Sequence, residues 1–181
     1  NHATQGTDAS QPKIVDAGTL VSGGLDFDGV DDTLSVIGNP VITASNAGTY
    51  SSFSVQDLSA SEAGYLYGNA SVATIEGGTS FYASSNGSFR FSNRSDVNRD
   101  SISRTAGLTL LSAVYQSGAS GMLVNGAGTV DSGSGYDFVA GTGDFIIANR
   151  NEGFTSSSTI LAGKIQEIII YNSDQSDNRT A

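Results

Sequence analysis

Short apolar runs with a period of two, broken at close intervals by turns rich in glycine, serine and asparagine, restrict this chain more than any other feature. In Leu25-Asp26-Phe27-Asp28-Gly29-Val30-Asp31-Asp32-Thr33-Leu34-Ser35-Val36, Leu25 and Phe27 alternate with Asp26 and Asp28. Gly29 supplies a turn, and Leu34 and Val36 restore the alternation. A two-residue period belongs to a pleated strand with one face covered, whereas an amphipathic helix repeats every 3.6 residues. The stretch therefore reads as a β-hairpin, and the chain as all-β.

The same pattern continues along the sequence. Thr49 to Gln56 predicts a half-buried strand with Phe53 and Val55 inward and Ser52 and Ser54 outward. Tyr65-Leu66-Tyr67 and Ser71 to Ile75 predict two short strands. Thr79 to Ala83 and Gly87 to Ser92 predict a hairpin around Ser85-Asn86-Gly87, with Phe89 and Phe91 in the core and Arg90 on the other face. Leu108 to Tyr115 is apolar on both faces, as a central strand would be, and Asn125-Gly126 marks a further hairpin after Met122. Asp144 to Asn149 predicts the strand before the last, through Phe145, Ile146 and Ile147. The closing strand, Ala162 to Asn172, carries three consecutive isoleucines, and strict alternation groups Glu167 with Ile165, Ile169 and Tyr171. That grouping predicts either two covered faces or a β-bulge, with Glu167 buried. Residues 1–12 are polar and are expected to wrap an edge, before a first short strand at Lys13 to Asp16.

A chain of 181 residues suits one all-β domain, residues 1–181. The end, Ser173 to Ala181, has helix-capping residues but no full turn after them, so the expectation is a fragment of a longer protein. The net charge of −10 repels phosphate backbones and anionic lipid, which excludes nucleic acid as a partner. No apolar run approaches the ~20 residues a spanning helix needs, so no membrane insertion is expected. There is no cysteine, and a core alone must hold the fold.

Two kinds of site are suggested by residue chemistry. The carboxylates Asp26, Asp28, Asp31 and Asp32 are hard oxygen donors of the type that binds Ca²⁺, although their spacing is not that of an EF-hand. Strand alternation puts Asp26 and Asp28 on one face, with Asp31 and Asp32 pointing elsewhere. Asp137 or Asp144 on a rim loop is the other place for such an ion. For a saccharide, Tyr65, Tyr67 and Tyr82 offer apolar ring faces with hydroxyls, and Arg90, Asn93 and Arg94 offer planar hydrogen-bonding groups. Arg90, Arg94, Arg99 and Arg104 together predict a groove or rim of guanidinium groups, with local ion pairs as the plainer reading. Catalysis is not expected: Glu62, Glu76, Glu152 and Glu167 are isolated, no paired acid and nucleophile stands on one strand, and His2 is the only histidine.

Three segments resemble one superfamily. Leu25 to Asp32, Gly163 to Asn172, and Leu110 to Tyr115 with Met122 to Gly126 are similar to the opening, closing and middle strands of the laminin-G-like, concanavalin A-like lectin/glucanase domains. Gln11 to Asp16 and Tyr171 to Ser176 are similar to the flanks of such domains in bacterial exported proteins and phage tail or virion proteins. The resemblance implies an antiparallel jelly-roll β-sandwich of two sheets, with ligands on the concave face or rim loops. It implies a non-catalytic recognition module for a glycan or polysaccharide, placed outside the cell, on its surface or on a virion. The alternative it allows is a structural domain touching protein neighbours in an assembly, and a glycoside hydrolase comes third.

Overall fold

The computed structural model describes residues 3–37, 49–69, 79–93, 99–116, 119–131, 144–149 and 160–175. In chain order the strands are β1 (Val15–Asp16), β2 (Thr19–Leu20), β3 (Leu25–Asp28), β4 (Leu34–Val36) and β5 (Thr49–Leu58). Next come β6 (Gly64–Gly68), β7 (Thr79–Ser84), β8 (Ser88–Asn93), β9 (Arg99–Ser103) and β10 (Gly107–Gln116). The last are β11 (Ala119–Val124), β12 (Ala127–Asp131), β13 (Phe145–Ile147) and β14 (Ala162–Tyr171). Strands β1 and β2 form a small ribbon of their own. The others make two antiparallel six-stranded sheets, β12-β11-β10-β5-β14-β3 and β4-β13-β6-β7-β8-β9. His2, Arg94, the stretch 71–75 and Asp137 lie outside the described residues.

The core between the sheets is largely aromatic. Tyr67 lies 4.7 Å from Phe81 and 5.6 Å from Phe145, Phe81 lies 4.9 Å from Phe91, and Tyr50 stacks on Tyr115 at 5.6 Å between ring centroids. Offset and tilted ring pairs of this kind each add about 0.5–1.5 kcal/mol beyond the area they bury. Phe89 and Phe91 are buried as expected, and β10 is central, paired to β5 on one side and β11 on the other.

Three sequence expectations are corrected here. First, Leu25 to Val36 is not a hairpin. Strand β3 pairs with β14 in one sheet, and β4 pairs with β13 in the other. The turn between them, with Gly29 at φ +77°, is a corner that carries the chain across the sandwich. Second, β5 is inverted. Tyr50, Ser52, Ser54, Gln56 and Leu58 are buried, while Phe53 and Val55 are only half-buried and lie on the outer face. The facing sheet already fills the interior with rings, so small serines opposite them leave the necessary room, and Ser52 hydrogen-bonds the Tyr67 hydroxyl. Third, of the two readings offered for β14 the bulge holds, and it leaves Glu167 exposed rather than buried. A register shift between Ile165 and Glu167 sets Ile165 opposite buried Gln56 but Glu167 opposite outward Val55, so the strand changes parity at the bulge.

The N-terminal segment covers the two sheet edges nearest the corner. Thr4 bridges Ser35 of β4, and Lys13 bridges Asp26 of β3, each through a pair of backbone hydrogen bonds of 2.8–3.1 Å. Open strand edges invite pairing with other chains, and this strap occupies part of both.

Candidate functional site

The corner after β3 gathers three carboxylates. Asp28 Oδ1 accepts the backbone N–H groups of Val30 at 2.8 Å and Asp31 at 3.4 Å, a local turn in which an aspartate side chain satisfies the backbone ahead of it. Asp32 turns back, and its Oδ2 accepts the Asp28 N–H at 2.9 Å. Asp31 Oδ2 accepts the Ser10 hydroxyl at 2.9 Å. One oxygen from each of Asp28, Asp31 and Asp32 falls within 4.8 Å of the others. Asp32 is only 3% exposed. Burial pushes its carboxyl above the usual range; the Asp28 N–H works against this, and the charges of Asp28 and Asp31 add to it.

Asp26 does not join the group. Two residues of extended chain separate it from Asp28, about 6–7 Å, and it stands opposite Lys164 in the β3–β14 ladder. Alternation holds on β3, with Phe27 buried between Asp26 and Asp28 on the other face, but the oxygens that come together are those of Asp28, Asp31 and Asp32, not Asp26. The corner reverses the chain after Asp28, which strand alternation by itself does not register.

Beside this corner lies a cleft of about 530 Å³, between the N-terminal strap, β4 and the start of β13. Hydroxyl and amide groups of Thr4, Gln5, Thr33 and Asn149 line it, with Asp31 and Asp144 as its carboxylates and Ile146 and Ile160 as apolar floor. Gln5 Nε2 donates to the Thr33 carbonyl and hydroxyl at 3.3 and 3.2 Å, and the Thr33 N–H donates to the Ser10 carbonyl at 3.1 Å, so one wall is laced to the other. Asp31 belongs to both the acidic corner and the cleft. The sequence expectation for residues 1–12 is only an edge wrap. The polar run Thr4-Gln5-Gly6-Thr7 was the available signal, but nothing local says that it faces residues near 33 and 144.

The aromatic face is partly as expected. Tyr65 stands opposite Tyr82, and Tyr82 opposite Arg90, across β6, β7 and β8, with the two tyrosine rings 5.0 Å apart. All three are half-buried and lie on the side of the sheet away from Phe81, Phe89 and Phe91. Tyr67 is not part of this face. A register shift between Tyr65 and Tyr67 pairs Tyr65 with Tyr82 but Tyr67 with Phe81, which sends Tyr67 into the core at 1% exposure. Burial there raises its phenol pKa, opposed in part by the hydrogen bond with Ser52. Asn93 ends β8 opposite Thr79.

Arg104 is no rim group either. It is buried, and its guanidinium donates to the carbonyls of Ala60, Glu62 and Ser84 and sits 5.7 Å from the Phe89 ring centre. It ties the loop after β5 to the end of β7. Its pKa is lowered by desolvation, with Glu62 acting the other way.

A Limulus polyphemus heptameric SAP-like pentraxin superposes with a TM-score of 0.60 at 13% identity, over 82% of this chain and 73% of that one. The Ruminococcus gnavus IT-sialidase CBM40, bound to α2,3-sialyllactose, gives 0.56 at 11%, over 74% and 81%. Mouse laminin α1 domains LG4–5 give 0.59 at 14%, over 94% of this chain and 47% of that one. This chain has a concanavalin A-like jelly-roll fold. At such identities the likeness speaks for the fold alone, and the chain spans about half of the laminin pair. No protein-family model matches the sequence, and no curated protein matches it.

Proposed function

We propose that this domain is a non-catalytic glycan-binding module that holds a saccharide in the cleft between the N-terminal strap and the acidic corner. The observation that carries the reading is the make-up of that cleft. It sets hydroxyls, amides and two carboxylates around an apolar floor, which matches the alternating hydroxyl edges and C–H faces of a sugar, and its volume lies in the ~300–1,000 Å³ range of ligand sites. The CBM40 neighbour, solved with α2,3-sialyllactose, supports the class of ligand.

Calcium is the proposed cofactor. Ca²⁺ accepts oxygens at about 2.3–2.6 Å, so oxygens sharing one ion stand up to about 5 Å apart. The 4.8 Å grouping of Asp28, Asp31 and Asp32 meets that limit. An ion there would neutralise a buried carboxylate crowded by two others, and through Asp31 it would present its remaining positions to the cleft. Tyr65, Tyr82 and Arg90 make a second contact for the same class of ligand, with a guanidinium suited to an acidic sugar. The setting proposed is the cell exterior, its surface or a virion.

A glycan array probed with and without a chelator tests the reading, with D144N and Y82A as variants. Binding that calcium supports and D144N abolishes is the expected result. Binding abolished by Y82A and kept by D144N would move the ligand to the tyrosine row. No binding to any glycan in either condition refutes the module, and release of free sugar refutes its non-catalytic character. A second reading, contact with protein neighbours in an assembly, is favoured by the apolar outer face of the β5–β14 sheet.

A further inference from the structure

The outer face of the sheet containing β5, β10 and β14 gathers apolar side chains from three neighbouring strands. Phe53 and Val55 point outward on β5, Leu110 on β10 is 41% exposed, and Ile169 and Tyr171 on β14 are 37% and 44% exposed. Phe53 and Tyr171 meet edge to face, with centroids 6.1 Å apart. These side chains line a groove of about 380 Å³ whose single charged lining group is Glu167. The ladder orders them: Val55 stands between Leu110 and Glu167, and Phe53 is opposite Ile169. Glu167 is exposed and has no ion pair or hydrogen bond among the described residues.

We propose that this groove docks a basic, apolar segment of a partner protein, its apolar side chains laid on Phe53, Val55 and Ile169 and a lysine or arginine against Glu167. Charge selects this occupant. A second copy of the chain would bring the same ten net negative charges, and in a two-fold contact its Glu167 would enter the same apolar patch as the first. An anionic lipid surface is repelled for the same reason. A segment that places a cation beside apolar side chains both covers the exposed surface and pairs the lone carboxylate. This inference names the partner for the second reading above and is independent of the glycan cleft, which lies on other strands.

The test is fluorescence anisotropy with a short fluorescein-labelled peptide built of leucine and lysine, and its twin with glutamate in place of lysine. The wild-type protein should bind the lysine peptide and not the glutamate one. E167Q should weaken binding about three- to fivefold, the scale of an exposed ion pair. I169T keeps the β-branched shape and should weaken it about tenfold through lost apolar contact. D8N, at a distant exposed carboxylate, should change nothing, and unchanged melting temperatures will show that all three variants fold. Equal binding by wild type, E167Q and I169T would mean general attraction to an acidic protein and overturns the proposal. So does a dimer seen in sedimentation that I169T abolishes, which gives the face to a second copy. Lysine-peptide binding that appears only after removal of residues 176–181 gives it to the chain's own tail and overturns it as well. Glycan-array results leave this outcome unaffected, so the two readings fail separately.

Discussion

Asp32→Asn separates the acidic corner as a metal site from the same corner as a structural turn. Asp32 uses one oxygen to accept the Asp28 N–H, and an asparagine carbonyl oxygen can accept that bond unchanged. What the substitution removes is a buried negative charge beside two others. In chelator, therefore, D32N should melt no lower than wild type. Calcium should then divide the two. Binding to the folded state alone stabilises by RT ln(1 + [L]/Kd), and exposed modules with Kd of about 10⁻⁴–10⁻³ M at 10 mM calcium gain about 1.4–2.7 kcal/mol. For a chain of this size that is a rise of about 3–11 °C, at roughly 2–4 °C per kcal/mol. Differential scanning fluorimetry of both proteins, with EDTA and with calcium, measures it. A rise in wild type that D32N lacks supports the site. An equal rise in both, or none in either, refutes calcium at this corner, and a large fall of D32N in EDTA refutes the claim that the charge is a burden.

Other outcomes follow from the same geometry. With calcium chelated, Asp32 takes up its proton in the folded state at a higher pH than in the unfolded chain, where its value is 3.8. Its penalty is therefore full at neutral pH and fades as the pH falls toward about 4, so in urea titrations wild type should gain stability relative to D32N over that descent. Tyr67→Phe removes the buried partner of Ser52 and should cost about 1–2 kcal/mol in urea unfolding, whereas a similar loss from Tyr65→Phe would contradict the difference in burial between the two rings. Gly24→Ala would place a methyl group 2.3 Å from the Ile165 carbonyl oxygen at a φ of +109°, and strain and crowding should together cost about 2–5 kcal/mol. Deleting residues 1–13 removes both bridges, Thr4 to Ser35 and Lys13 to Asp26, frees the edges of β4 and β3 and should produce concentration-dependent association in light scattering; a deleted form that stays monomeric would show that the strap does not guard them.

Period-two runs and turn residues determined where most described strands lie, because the pleat repeats every two residues and a tight reversal needs glycine or asparagine at positive φ, as at Asn125 and Gly126. The pairing of Tyr82 with Arg90 was legible for the same reason, since both lie on one local hairpin. Which face of a strand turns inward is a different matter, because alternation is symmetric until something fills one side. On β5 the rings of the opposite sheet took the interior and the serines faced them. One-residue bulges in β6 and β14 then reversed the parity on which Tyr67 and Glu167 had been placed. The candidate site was least legible of all. Asp31, Thr33, Gln5 and Asp144 meet because a corner crosses between sheets and a strap returns over both edges, and contacts between residues so far apart in the chain are set by packing, which no local pattern encodes.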